Sequence, residues 1–361
     1  MTFVNIADII ILLLNKHERR NRILLKDRWS YTSKHDKKQF FYTVFIISSI
    51  VLLQFILLGI TADIISSITA GYFSLFFSSL EEQEFYSLAN NVISILNLWG
   101  SFSISSALLI LFLRRTKNKN ESNAGSSISF KFKMPENMLM LLFLGLSIVY
   151  LFATLSIFFD FFIGMFGAEK TPYEPVAFPK TAVGIIVYFL ALVVSPALVE
   201  EFFCRYLILN ALRKYGDGFA MIVSAVFFGL MHGRTTAFFF ATAIGFFLAY
   251  FAIKTGSIWF PVILHAFINF MSLFWHLMGD LITSNQLFEL VSGTFWTVLF
   301  GVSFIYIIVL ALKKKDLSLV RHRYYIKISP ARKLFAFFNA AAIIFIVLAL
   351  LQSTVEYRNL W

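Results

Sequence analysis

Residues 181–212 read TAVGIIVYFLALVVSPALVEEFFCRYLILNAL, an apolar run that contains two adjacent carboxylates and an arginine, Glu200, Glu201 and Arg205. An ionised side chain at membrane depth costs roughly 2.5 to 3.5 kcal/mol, so such groups usually persist only where they are buried, paired and functional. The run is too long for one straight crossing, and Pro196 removes a backbone donor inside it, which predicts a kink or break. We therefore expect this helix to carry a polar site inside a membrane.

The composition places the whole chain among polytopic membrane proteins. Of the 361 residues, 59% are hydrophobic and only 14% are charged. At about 20 residues for each crossing, this length accommodates about eight or nine helices. We predict an all-α fold, a polytopic transmembrane helical bundle with about eight spans. The apolar runs lie at about 41–60, 92–113, 138–166, 181–212, 219–232, 236–253, 258–278, 291–312 and 334–351.

Two further segments need their own interpretation. Residues 61–91 contain acidic side chains and no basic one, which predicts an external loop. The apolar segment Met1–Leu14 has neither the basic start nor the cleavage site of a signal peptide. We expect it either to lie at the membrane surface as an interfacial helix or to form an extra anchor.

The net charge of +11 does not indicate nucleic-acid binding. Of the 31 Lys and Arg residues, 23 lie in the three segments 16–38, 114–133 and 313–333, between apolar runs. The positive-inside rule explains these segments as cytoplasmic loops that fix the topology and contact anionic lipid. We predict membrane lipid as a partner and no nucleic acid. The sequence does not indicate an oligomeric state.

The two adjacent glutamates are expected to have different roles. Neighbouring residues on a helix point about 100° apart, so Glu200 and Glu201 do not address one small site from the same face. Glu201 and Arg205 are four residues apart, in the order that favours an ion pair. Such a pair would neutralise Glu201 and leave Glu200 facing a polar cavity. Glu200 is therefore the candidate general base.

Two histidines in later apolar runs, His232 and His265, complete a candidate site, with Asn269 one helical turn beyond the second. In one arrangement Glu200, His232 and His265 hold a catalytic zinc whose open position carries an activated water. In the other, Glu200 and His232 activate water directly, while His265 and Asn269 donate hydrogen bonds to the oxyanion that forms at an attacked carbonyl. The residues themselves leave both open.

Three motifs together resemble those of the CPBP family, the CAAX-protease and bacteriocin-processing intramembrane endopeptidases, also called the Abi family. The motifs are Glu200-Glu201-x-x-x-Arg205, Phe228-x-x-x-His232 and His265-x-x-x-Asn269. The resemblance covers residues 181–280 and implies that Glu200, His232, His265 and Asn269 are catalytic, with Glu201 and Arg205 supporting them. It also implies a membrane-associated protein or peptide as substrate, prenylated in the eukaryotic members, and either zinc or no cofactor.

The resemblance divides the chain into three regions. Residues 1–180 form an N-terminal transmembrane region of unknown role, residues 181–280 the protease-like core, and residues 281–361 the C-terminal transmembrane helices. We expect an integral, multi-pass protein of a bacterial cell membrane. The alternative is a non-catalytic scaffold, immunity or transport protein whose buried polar cluster fastens helices. Cys204, the single cysteine, excludes an internal disulfide, and its apolar surroundings indicate an inert packing residue.

Overall fold

A computed structural model gives the three-dimensional structure of the chain. It describes residues 33–76, 82–116, 127–167, 169–170, 178–282, 284–313, 326–354 and 357–358. The predicted interfacial helix or anchor at Met1–Leu14 lies outside these residues. The helices of the described ranges are numbered here in chain order: α1 Lys34–Phe76, α2 Glu82–Thr116, α3 Met138–Gly164, α4 Ala182–Arg213, α5 Asp217–Met231, α6 Thr235–Thr255, α7 Trp259–Leu281, α8 Asn285–Leu312, α9 Pro330–Phe337 and α10 Ala340–Thr354.

The architecture is the predicted all-α polytopic bundle. Within the described ranges, seven helices are long and apolar enough to cross a membrane, and α9 with α10 forms an eighth candidate that is bent by 57°. The chain is therefore an integral, multi-pass membrane protein. Two-residue strands, β1 Glu169–Lys170 and β2 Tyr357–Arg358, pair antiparallel and tie the turn after α3 to the C-terminal end.

Where the structure describes residues 61–91 they are helical, so the predicted loop is wrong, and their external location stays a prediction. Helix α1 continues to Phe76, and α2 already begins at Glu82. Residues 61–76 contain one charged residue and no proline, so the sequence holds nothing that stops a helix there. Two of the acidic residues that suggested a loop, Glu82 and Glu84, lie at the start of α2, where carboxylates are favoured by the positive end of the helix dipole.

The last predicted span, 334–351, is divided into α9 and α10. Asn339 lies between them, and its side-chain oxygen accepts the backbone N–H of Ala342 at 3.1 Å, which caps the start of α10. Its side-chain nitrogen donates to Ser48 Oγ on α1 at 2.9 Å. One asparagine thus both interrupts the helix and fixes the bend against α1.

Helix α4 contains the predicted irregularity near Pro196. Two π-helical segments, Leu190–Val194 and Phe202–Leu209, flank a short α-helical segment Ser195–Glu201. Pro196 lies in the first turn of that segment, directly after the wide turns in which its missing N–H and its ring are tolerated. The glutamates therefore lie between two changes of helical register, an arrangement that often accompanies functional sites.

Helices α5 and α6 pack closely against each other near the site. Both carry small residues four positions apart, Ala225 and Gly229 on α5, and Ala241, Gly245 and Ala249 on α6. A Cβ atom added to Gly245 would lie 3.2 Å from Ala225 Cα, and one added to Gly229 would lie 3.0 Å from Phe238 O. The two backbones approach this closely because both positions are glycine, as is common between membrane helices.

Candidate active site

The ion pair predicted between Glu201 and Arg205 is present and fully buried. Arg205 Nε lies 3.1 Å from Glu201 Oε2, and both side chains are 0% exposed. The N–H direction does not meet Oε2 as a hydrogen bond, so this contact is ionic. Glu201 Oε1 lies 3.1 Å from His265 Nδ1. One carboxylate thus connects the arginine of its own helix to the histidine of α7.

Arg205 extends this network to two more helices. Its Nη2 donates to the backbone carbonyl of Gly245 on α6 at 3.2 Å. Its guanidinium carbon lies 4.4 Å from the ring centroid of Phe228 on α5, a cation–π contact. The same ring meets His265 edge-on, with 5.5 Å between centroids. The planar, always charged guanidinium therefore lets Arg205 connect four helices at one buried point.

Glu200 points in a different direction from its neighbour. Its side chain is 16% exposed, whereas that of Glu201 is 0% exposed, and it lines a cavity. Glu200 Oε2 lies 3.9 Å from His265 Nε2, which is too long for a direct hydrogen bond. The predicted division between a paired glutamate and one that faces a cavity is therefore observed.

His232 ends α5 and lines the same cavity as Glu200. Its Nδ1 lies 2.8 Å from the backbone carbonyl of Phe228. A carbonyl oxygen only accepts, so Nδ1 carries a proton, and in a neutral ring the lone pair is then on Nε2. Glu201 Oε1 contacts His265 Nδ1 in a similar way. Both histidines are thus held at Nδ1 and have Nε2 free for chemistry.

Asn269 lies one turn beyond His265 on α7 and is half-buried. Its side chain makes no hydrogen bond to the part of the chain that the structure describes, and it does not line the cavity. Its predicted role at an oxyanion stays a prediction.

The predicted zinc ligands do not form a ligand group. Across the described ranges, no three His, Cys, Asp or Glu side chains lie close enough together to hold a metal ion. Glu200, His232 and His265 therefore do not fit a preformed zinc site. Zinc stays a prediction that metal analysis of the protein can test.

The cavity has a volume of about 210 Å³ and is bounded by the protease-like core and by the N-terminal region. Met231 lies beside Glu200 and His232 in its wall. Helices α1 and α2 supply the remaining lining residues, Gln54, Phe55, Leu58 and Phe102. This contribution was not predicted from the sequence, although one signal was present: Gln54 is a polar residue in the middle of the apolar run 41–60.

Comparison with known proteins agrees with this geometry. Residues 182–271 match the family model of Rce1-like type II CAAX prenyl endopeptidases. The match runs from the start of α4 into α7 and includes all six predicted site residues, which confirms the resemblance to the CAAX-protease family. The Rce1-like segment supports an intramembrane endopeptidase of the CAAX type that acts on a membrane-associated protein. A search of curated proteins and a search of solved structures each found no match.

Proposed function

We propose that the chain hydrolyses a peptide bond of a membrane-associated protein or peptide, prenylated at its C-terminus, with Glu200 as the general base. The observation that carries this proposal is the position of Glu200. It is the carboxylate that faces the cavity, it shares the cavity wall with His232, and its Oε2 lies 3.9 Å from His265 Nε2. A paired and fully buried carboxylate such as Glu201 would not meet a substrate.

The proposed hydrolysis needs one water molecule and the side chains of the site. Glu200 takes a proton from a water molecule, while His232 Nε2 accepts a hydrogen bond that orients this water. The water oxygen forms a bond to the peptide carbonyl carbon, and the carbonyl oxygen becomes an oxyanion. Protonated Glu200 then gives its proton to the amide nitrogen as the carbon–nitrogen bond breaks. The products are a carboxylic acid and an amine.

His265 and Asn269 are the proposed donors to the oxyanion. They share one face of α7 because they are four residues apart. Asn269 donates from its side-chain nitrogen. Nδ1 of His265 is directed toward Glu201, so Nε2 is the ring atom that can face the oxyanion, and it donates when it carries a proton. One oxyanion donor typically contributes about 10²–10³ in turnover.

A cleavage assay tests the proposal. The purified protein in lipid nanodiscs is given a farnesylated CAAX peptide or its unprenylated counterpart, and products are identified by mass spectrometry. We expect cleavage of the farnesylated peptide, and a loss of about 10²–10⁴ in rate for Glu200→Gln, the usual contribution of a general base. Glu289→Gln, which changes an exposed carboxylate on α8, is the matched control and should cleave like wild type.

Metal content is measured on the same samples. Metal that is present in wild type and absent from His265→Ala would favour the zinc arrangement. Full activity of Glu200→Gln would refute Glu200 as the general base. No cleavage by wild type would favour the scaffold alternative, in which the polar cluster only fastens helices.

A further inference from the structure

The cavity wall contains a buried polar group that the proposed chemistry does not use. Gln54 on α1 is 1% exposed and lines the cavity opposite the Rce1-like segment. Its Nε2 donates to Ser101 Oγ on α2 at 3.1 Å, and Ser101 Oγ donates to the carbonyl of Leu98 at 3.3 Å. Gln54 Oε1 has no hydrogen-bond partner among the described residues.

The hydrogen bonds fix the direction of the carboxamide. Ser101 gives its only proton to Leu98, so its oxygen is available to accept from Gln54 Nε2. Gln54 Oε1 is left buried and without a partner among the described residues, in a side chain that lines the cavity. A buried acceptor without a partner is unfavourable, because it has given up its hydrogen bonds to water and gained none in return. An unpartnered acceptor such as Gln54 Oε1, in the wall of a candidate active site, is therefore a candidate contact for a bound ligand.

The chemistry of the wall limits what the ligand is. Phe55, Leu58, Phe102 and Met231 surround the cavity with apolar surface. An extended peptide that enters it buries backbone N–H groups, each of which needs an acceptor. The Glu200 side chain is one acceptor but is occupied by the attacking water in the proposed reaction. Gln54 Oε1 is an uncharged acceptor in the same wall.

We propose that Gln54 Oε1 accepts a hydrogen bond from a backbone N–H of the bound peptide substrate. Gln54 is then a substrate-binding residue that the N-terminal region supplies, outside residues 182–271. This inference rests on the proposed function, because it takes the peptide to be bound in the cavity beside Glu200. It gives the N-terminal region a role in holding the substrate.

Peptide binding, measured without cleavage, tests the inference. A fluorescent farnesylated CAAX peptide is titrated onto the Glu200→Gln protein in nanodiscs, with and without Gln54→Leu. We expect Gln54→Leu to weaken binding about tenfold, the usual contribution of one hydrogen bond. The matched control is Gln39→Leu, the same change about 22 Å earlier along α1, and it should alter binding less than about twofold.

Ester substitution in the peptide identifies the partner atom. Each backbone N–H near the scissile bond is replaced in turn by an ester oxygen, which removes one donor. We expect one ester to weaken binding to the protein that retains Gln54 about tenfold and to add nothing in Gln54→Leu, as a shared contact requires. Gln54→Met repeats the test should the leucine variant fail to fold.

Three results would overturn the inference: unchanged binding in Gln54→Leu, ester effects that are equal in both proteins, or no binding of the peptide. Equal ester effects together with weaker binding would mean that Gln54 holds a water molecule and not the peptide. The proposed function is judged separately, because it fails if wild type binds the peptide and leaves it uncut.

Discussion

Removing Arg205 should leave an uncompensated charge in the centre of the bundle. In Arg205→Met the Glu201 carboxylate loses its ionic partner and retains only the N–H of His265 Nδ1. Both members of the pair are 0% exposed, so water does not replace the arginine. Breaking such a buried pair by removing one partner costs about 3–5 kcal/mol.

The double variant separates structure from chemistry. Glu201→Gln with Arg205→Met removes both charges, and the new carboxamide would keep an oxygen for His265. Replacement of a whole buried pair by neutral groups is often close to neutral for stability. We therefore expect the double variant to recover most of the lost stability. If the Glu201 charge also orients His265 for catalysis, cleavage of the farnesylated peptide stays low in the double variant.

The chain provides its own probe of unfolding. Cys204 is the only cysteine and is 0% exposed, so a thiol-reactive fluorogenic dye should react when the bundle opens. The apparent melting temperature is read from this reaction for each variant. Arg213→Met is the matched control, because Arg213 pairs with Asp217 at 2.7 Å in a second buried pair away from the cavity. It should lower stability and leave the specific activity of the folded protein unchanged.

An equal melting temperature for wild type and Arg205→Met would refute this reasoning. So would a double variant that is no more stable than the single one, because the cost would then come from the lost contact with Phe228, which both variants lack, and not from the stranded charge.

Three more outcomes are expected. Gly245→Ala places a Cβ 3.1 Å from Phe228 Cδ1 and should lower stability by about 1–3 kcal/mol in the same dye assay, whereas an unchanged melting temperature would show that α5 and α6 can separate freely. Glu84→Gln weakens a carboxylate that accepts the backbone N–H and the hydroxyl of Thr181 at the start of α4, and should cost about 1–2 kcal/mol of stability, again read as a lower melting temperature. Native protein should resist N-ethylmaleimide at Cys204 and retain activity after treatment, and rapid labelling of the folded protein would contradict this.

The sequence predicted the contacts that lie within one helix. Glu201 and Arg205 are four residues apart. This spacing predicts an ion pair on one face of the helix, whether its turns are α-helical or the wider π-helical ones. The different roles of Glu200 and Glu201 followed from the angle between neighbouring residues. These relations depend only on local geometry, so they hold whatever surrounds the helix.

Contacts between different helices could not be predicted from a single sequence. His265 meets Glu201 across 64 positions of sequence, and Gln54 reaches the cavity from a helix that carries none of the family motifs. The zinc arrangement required three side chains to converge, and one-dimensional spacing cannot test convergence. The π-helical segments of α4 were also not predicted, because an extra residue in one turn does not alter the apolar composition of the run. Only Pro196 indicated an irregularity there.

The charges of the site explain why a cavity is needed beside Glu200. Arg205 neutralises Glu201, and both are shielded from water at no net charge. A second carboxylate in the same interior would have no cation left to pair with, and an isolated buried carboxylate is strongly disfavoured. Glu200 avoids this cost by turning its side chain to a cavity of about 210 Å³, which is large enough for several water molecules. The space that solvates the Glu200 carboxylate is then also the space in which the proposed reaction would activate water, so the solvation of the site and its proposed reaction depend on the same cavity.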